Sequence, residues 1–140
     1  MAYTNPSLMA VANPDEMSRT IFPLGTVLTT TTSSSLINLS PWAEWAILYI
    51  DVTASSWTLP TLLISVESQD PVSKKFIAVP WLISTSIVWV STNMIIIGQW
   101  LTAVANSVIN TILPNTFRVT ATIGGTTPSF TFSVGIQYTF

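Results

Sequence analysis

The sequence predicts an all-β fold, a jelly-roll-like antiparallel β-sandwich of about eight strands with an extended N-terminal arm. Three observations support this prediction. Residues 129–140 alternate without a fault between apolar and polar side chains, which is typical of a strand with one buried face. The chain is rich in Ile, Val, Thr and Trp, which favour strands over helices. Turn-forming residues recur between the apolar segments at the spacing expected of a sandwich.

Residues 1–25 are predicted to form the arm, because they contain Pro6, Pro14 and Pro23 and show no steady period. Pro14 could open one short helical turn. The apolar side chains of the segment indicate an arm that reaches onto a neighbouring subunit, and the alternative is a poorly ordered terminus. Residues 26–140 are predicted to form a single sandwich domain, since a chain of this length can bury its own core.

The strand candidates are bounded by polar or turn-forming residues. In order along the chain they are 26–28, 36–39, 44–53, 61–69, 75–79, 84–92, 94–100, 117–123 and 129–140. Both faces of 44–53 are fairly apolar, which indicates a central strand or one covered on both sides. Asp70-Pro71 begins a turn, so 61–69 and 75–79 are expected to form a hairpin.

The segment 101–112 is ambiguous. Its apolar residues Leu101, Val104, Val108 and Ile112 are spaced as on one face of a helix. It is therefore either a short helix or a long irregular crossing loop.

The residue types that carry most enzyme chemistry are missing. The chain has no Cys and no His, which removes thiolate nucleophiles, zinc–thiolate sites and the usual general base near neutral pH. Asp51 and Glu67 lie on the outward side of two consecutive predicted strands and could approach as a carboxylate pair; the alternative is that each is a solvated or hydrogen-bonded strand residue. We expect no enzymatic activity, no cofactor and no metal.

Only 7% of the residues are charged, against roughly 25% in ordinary soluble domains. The net charge of −2 and the absence of a basic patch argue against nucleic acid as a partner. A chain with so few charged residues either enters a membrane or buries much of its surface against protein partners. The uncharged stretch 76–117 is interrupted by polar residues and Pro80, so it lacks the roughly 20 apolar residues of a spanning helix, and no basic cluster flanks it. We expect protein partners and no membrane.

Six tryptophans supply aromatic side chains of the kind enriched at subunit interfaces. The candidate contact residues combine apolar side chains of the arm with three tryptophans. They are Tyr3, Leu8, Met9, Ile21, Phe22, Trp81, Trp89 and Trp100. The alternative is that exposed tryptophans stack on sugars, as in a carbohydrate-binding module.

Two long blocks resemble a pattern of small structural proteins from tailed bacteriophages. The first is ILYIDVTASSWTLPTLLISVESQDPVSKKFIAV, in which a strand ending in Asp-Val-Thr-Ala precedes Pro-Thr-Leu, a second strand and a hairpin turn. The second is LTAVANSVINTILPNTFRVTATIGGTTPSFTFSVGIQYTF, with Leu-Pro-x-Thr-Phe-Arg-Val, a Gly-containing turn and a final strand. Together the blocks cover over half of the chain.

This resemblance implies a capsid decoration, or cement, protein or another minor virion protein. Such proteins are β-sandwiches without catalytic residues that form homotrimers over junctions of the major capsid protein lattice. The expectation is therefore a structural protein on the outer surface of the capsid, which binds and stabilises that lattice. The alternatives are a receptor- or carbohydrate-binding domain of a head or tail fibre and a membrane-associated virion protein, which would require detergent to stay in solution.

Overall fold

The structure, a computed structural model, describes residues 18–38, 44–105 and 107–139. Within these ranges the chain forms ten β-strands and no helix. The strands are β1 (Ser18–Leu28), β2 (Thr32–Ser33), β3 (Ile37–Asn38), β4 (Trp45–Ser55), β5 (Thr61–Gln69), β6 (Phe76–Ile83), β7 (Ser91–Gly98), β8 (Val108–Asn110), β9 (Thr116–Gly124) and β10 (Phe130–Thr139).

The strands form two packed five-stranded sheets, which confirms the predicted all-β sandwich. The front sheet has the order β1-β10-β4-β7-β8, and the back sheet has the order β2-β9-β5-β6, with β3 also pairing with β9. Neighbouring strands are antiparallel except for β7 and β8, which run parallel. The jelly-roll connectivity stays a prediction.

The core lies between the sheets and follows the alternation of the sequence. The hairpin β5–β6 forms as predicted, with Glu67 opposite Ala78. In β10 every second side chain from Phe130 to Tyr138 is buried, as the alternation predicts. The largest fully buried side chains come from both sheets. They are Tyr138, Phe117, Phe130, Phe132, Leu48, Ile50, Leu62, Ile64, Ile97, Val52, Val66 and Val119.

The first strand begins earlier than the sequence predicts. Residues 18–25, assigned above to the arm, belong to β1 and pair with β10. Ile21 and Phe22 are buried, and the Phe22 ring meets the Phe132 ring edge-on with 5.4 Å between centroids. This corrects the expectation that Ile21 and Phe22 belong to a contact surface, because both side chains are part of the chain's own core.

Two other segments differ from the sequence-based prediction. Residues 84–90, expected to be part of a strand, link β6 to β7, and in this link Ile87 forms an isolated bridge with Leu62. The described part of 101–112 contains no helix; it is a loop followed by β8. The backbones of Val104 and Val108 bond to each other in both directions at 3.0 Å. Their four-residue spacing therefore belongs to a tight loop and not to a helix.

The two ends of the sandwich differ in their connections. At one end, termed the crossover end, the chain passes between the sheets four times, through residues 29–31, 56–60, 84–90 and 125–129. The opposite end, termed the hairpin end, holds the β5–β6 turn at 70–75 and the loop between β7 and β8. Outward-facing side chains of the two sheets and the loops of these two ends are the surfaces on which a site can form.

Candidate interaction surfaces

The predicted contact residues do not form one surface. Tyr3, Leu8 and Met9 lie outside the described residues, as does the side chain of Trp81, which is placed in β6. Trp89 is 52% exposed and Trp100 is 93% exposed. Trp89 lies at the crossover end and Trp100 lies after β7 at the hairpin end. Trp89 and Trp100 therefore lie on two separate surfaces.

A third surface, which sequence analysis did not single out, is the outward side of the front sheet. We call it the front face and define it by Trp45, Ile47, Tyr49, Met94 and Ile96. Tyr49 pairs with Met94 and Ile47 with Ile96 on the adjacent central strands β4 and β7. Trp45, Tyr49 and Met94 remain 40–47% exposed, although they stand at the centre of a sheet.

The front face is an apolar stripe with polar residues on two of its borders. The Tyr49 hydroxyl lies 3.2 Å from the Gln137 Oε1 atom on β10, where it donates a hydrogen bond. Asp51 borders the stripe and accepts a hydrogen bond from the Thr92 hydroxyl at 3.0 Å. The apolar character of both faces of 44–53 was the sequence signal that could have located this surface.

The outward side of the central back-sheet strands β5 and β9 carries a polar network by contrast. Glu67 on β5 accepts hydrogen bonds from Arg118, at 2.9 Å, and from Thr120, both on β9. The Ser33 and Thr120 hydroxyl oxygens are 2.9 Å apart, and the Arg118 guanidinium lies 3.8 Å from the centre of the Phe76 ring. The charges and hydroxyls of this network satisfy one another, and the exposed large apolar side chains of the back sheet, Ile77 and Ile83, lie on its edge strand β6.

The pKa of the Glu67 carboxyl reflects this network. Partial burial opposes its ionisation, but the hydrogen bonds from Thr120 and Arg118 and the positive charge of Arg118 outweigh that effect. The pKa of Glu67 is therefore held below its ordinary value. A carboxylate that is held ionised by two hydrogen bonds within its own sheet is suited to a structural role.

The possible carboxylate pair is ruled out by the topology. Asp51 lies on the outer side of the front sheet, whereas Glu67 lies on the outer side of the back sheet. The chain crosses from one sheet to the other between β4 and β5, so the two consecutive strands are not neighbours. Each carboxylate is instead hydrogen-bonded to its own neighbours.

Asp70 serves the hairpin turn. Its carboxylate accepts hydrogen bonds from the Val72 amide at 2.9 Å and from the Ser73 hydroxyl at 2.8 Å. These bonds, of which the Val72 amide contributes most, hold the pKa of Asp70 below its ordinary value. Among the residues that the structure describes, no group of three or more His, Cys, Asp or Glu is placed to hold a metal ion.

A cleft at the hairpin end combines aromatic and polar side chains. It has a volume of about 310 Å³ and is lined in part by Glu44, Trp45, Gln99, Trp100 and Ile112. The Asn110 side chain accepts a hydrogen bond from the Trp100 amide at 2.9 Å, which fixes the backbone that carries the exposed indole. Trp45 thus borders both this cleft and the front face.

The crossover end carries the most exposed apolar side chains of the loops between the sheets. We call this cluster the crossover tip and define it by Trp57, Leu59, Val88, Trp89 and Val90. The rings of Trp57 and Trp89 meet edge-on with 5.2 Å between their centroids. Trp57 and Leu59 are 86% and 87% exposed.

No helix in the described part of the chain has the length and apolar character needed to cross a lipid bilayer. The chain shows no significant match to any family model, curated protein or solved structure.

Proposed function

We propose that this chain is a non-enzymatic structural protein of a virus particle, a capsid decoration protein that binds and stabilises the major capsid protein lattice from its outer surface. The observation that carries the proposal is the front face, an exposed apolar stripe across the two central strands of a sheet. The two sequence blocks that resemble tailed-phage structural proteins give the proposal its biological setting.

The front face has the chemistry of a protein–protein interface. Aromatic residues and Met are enriched in interface cores and charged residues are depleted there, and Trp45, Tyr49 and Met94 follow that pattern. Contiguous exposed apolar surface on a soluble protein marks an interaction site. We propose that a second copy of this chain covers the front face and that three copies form a homotrimer.

The mechanism is physical. Covering apolar surface stabilises an assembly by about 25 cal/mol per Å² removed from water. A trimer that binds the assembled lattice more tightly than its separated subunits stabilises the lattice by mass action. Because the front face carries few charges, its contacts are expected to depend little on salt.

The oligomeric state is the first test. We expect light scattering in detergent-free buffer to give three times the 15.2 kDa mass of the chain. Tyr49→Lys and Met94→Lys each place a charge in the proposed interface and should lower the mass to that of a single chain. Thr122→Lys adds the same charge on the exposed outward side of the back sheet and should leave the trimer intact. A monomeric parent protein would contradict the buried-interface argument.

Lattice binding is the second test. The purified trimer, mixed with assembled shells of the major capsid protein from the virus that encodes it, should sediment with them at a saturable ratio. It should also raise the temperature at which the shells disassemble. Binding to unassembled capsid protein only, or no binding at all, would contradict the decoration proposal.

A second candidate function is carbohydrate binding, which the cleft at the hairpin end favours. Its two tryptophans offer ring surface to a sugar, and Glu44 and Gln99 offer polar groups to orient it. Glycans that bind there should quench tryptophan fluorescence, and Trp100→Ala should abolish the response. Fluorescence that is unchanged across a glycan panel would remove this candidate.

A further inference from the structure

We propose that the crossover tip inserts into the interfacial layer of a neutral, zwitterionic lipid bilayer and so attaches the domain to a membrane surface. This inference goes beyond the proposed function and concerns a different part of the molecule. It also departs from the expectation, drawn from the sequence, that no membrane is a partner. A surface contact needs no spanning segment.

The tip is built to project apolar side chains into its surroundings. Leu59 is 87% exposed and has φ of 55°, a left-handed backbone conformation that bulky side chains rarely adopt. Strain of this kind persists only where the surrounding structure enforces it. Here the strained residue carries an exposed apolar side chain, two residues after the exposed Trp57.

The strained loop is fixed by its neighbour. Thr58 donates a hydrogen bond to the Thr127 carbonyl at 3.2 Å, and the Ser56 amide donates to the Ser129 carbonyl at 2.9 Å. Gly125 has φ of 106°, and a Cβ atom at this position would lie 2.9 Å from the Leu59 carbonyl oxygen. The glycine thus allows the loop 125–129 to lie directly against the loop 56–60, which makes the tip preorganised.

The chemistry of the tip matches an interface between water and lipid. Tryptophan, with a large apolar ring system and one N–H donor, is enriched where membranes meet water. Small hydroxyl side chains accompany the apolar ones in the same loops. They are Ser56, Thr58, Thr85, Ser86, Thr126 and Thr127. The four connections of the crossover end contain no charged residue, so insertion would desolvate no charge.

The charges are segregated along the long axis of the sandwich. With a strand rise of about 3.3 Å per residue, Asp51 lies about 13 Å from the end of β4. Glu67 and Arg118 lie about 20 Å from the ends of β5 and β9 that face the tip. Amphipathic elements bury their apolar side about 5–10 Å into the interface, so every described charge would stay in water.

This axial arrangement favours a bilayer over a protein partner. The polarity of a bilayer changes along one direction, from water to lipid. A molecule that inserts must therefore have its charged residues separated from its apolar residues along one axis as well. A protein partner could match charges in any arrangement.

Vesicle flotation tests the proposal with full-length protein. We expect the protein to float with phosphatidylcholine vesicles, with no gain from added phosphatidylglycerol and no loss in high salt, since the tip has no cationic group. Leu59→Ser and the double variant Trp57→Ser/Trp89→Ser should each lower the partition coefficient about tenfold or more. Circular dichroism confirms that the variants keep the β-sheet spectrum.

Trp100→Ser is the matched control, because Trp100 is 93% exposed but lies at the opposite end. It should leave partitioning unchanged. Brominated phosphatidylcholine should quench the parent protein and Trp100→Ser, but not Trp57→Ser/Trp89→Ser. No flotation of the parent protein, or equal loss in the Trp100 control, would overturn the proposal.

Light scattering separates this proposal from the trimer proposal. Tip variants should keep the parent molar mass, and the front-face variants Tyr49→Lys and Met94→Lys should still bind vesicles. If tip variants lower the molar mass and the parent protein does not bind vesicles, the tip is an interface between copies. That result would overturn the lipid assignment and leave the front-face proposal standing.

Discussion

The outward sides of the two sheets are built from strands with the same inward alternation, yet they differ in chemistry. On the front sheet, Tyr49 and Met94 face outward as half-exposed apolar neighbours. At a comparable position on the back sheet, Glu67 and Arg118 face outward and bind each other. In both sheets the buried, inward-facing side chains specify the fold. The chemistry of the outward-facing side chains can therefore differ between the sheets. That difference is the reason for proposing the front face, rather than the back sheet, as the side that a partner covers.

The largest expected effect tests whether the two sheets share one core. Leu48 lies on the inward side of the front sheet and Leu62 on the inward side of the back sheet, and both are at most 2% exposed. Replacing either with alanine removes buried methyl groups and leaves a cavity, so each substitution should cost about 2–5 kcal/mol of unfolding free energy. Urea denaturation of both variants measures this loss.

Ile47→Thr is the control, because Ile47 lies in the same strand as Leu48 but its side chain is on the outward side of the sheet. Measured on a monomeric Tyr49→Lys background, it should cost well under half as much as Leu48→Ala. A cost below about 1 kcal/mol for Leu48→Ala or Leu62→Ala would mean that its sheet does not pack as described.

A smaller effect sharpens the contrast between the two outward sides. Arg118→Ala removes an ion pair and the contact of the guanidinium with the Phe76 ring. Because Arg118 and Glu67 are 30% and 20% exposed, solvent screening limits the expected loss to about 1 kcal/mol. On the front sheet, Asp51→Asn removes a charge whose carboxylate accepts a hydrogen bond from Thr92 and forms no ion pair with any described residue, so it should change stability by less than about 0.5 kcal/mol.

A double-mutant cycle with Arg118→Ala and Glu67→Gln isolates the pair. We expect a coupling energy of about 0.5–1 kcal/mol that shrinks as salt is added. Coupling of zero at low salt would show that the Arg118–Glu67 pair does not stabilise the fold.

The sequence predicts the centre of this sandwich better than its margins. The alternation of β10 and β4 is regular because both strands have neighbours on each side within the sheet. In β1 the register with β10 shifts between Thr20 and Phe22 and again between Phe22 and Thr26. Such bulges break the period of two, so the strand is not visible in the pattern of residues 18–25.

The candidate surfaces were only partly predictable. The composition of the sequence shows that few charges are present. Their distance from the crossover end, however, depends on where each strand begins and ends in the fold. The presumed proximity of Asp51 and Glu67 failed because it assumed that consecutive strands pair, which is common but not general. The Trp57–Trp89 contact joins two loops that are far apart in sequence, and only the topology brings them together.

The smallest expected effect is the pH dependence of the back-sheet network. The pKa of Glu67 is lowered in the folded protein, so its stabilising contribution is complete above the ordinary carboxyl value of about 4.3. It is lost as the pH falls through the folded pKa, because a protonated Glu67 no longer pairs with Arg118. Glu67→Gln should therefore lose less stability than the parent protein as the pH falls below about 5.

Asp70 titrates in the same direction, since its pKa is lowered by the turn around it. Asp70→Asn supplies the reference that separates the turn from the network. Denaturant titrations at several pH values, made on the parent protein and both variants, give the comparison. Stability depends on the protonation of Glu67 only if Glu67 is paired in the folded state. If Glu67→Gln follows the parent curve while Asp70→Asn removes the acid sensitivity, the hairpin turn rather than the back-sheet network accounts for that sensitivity.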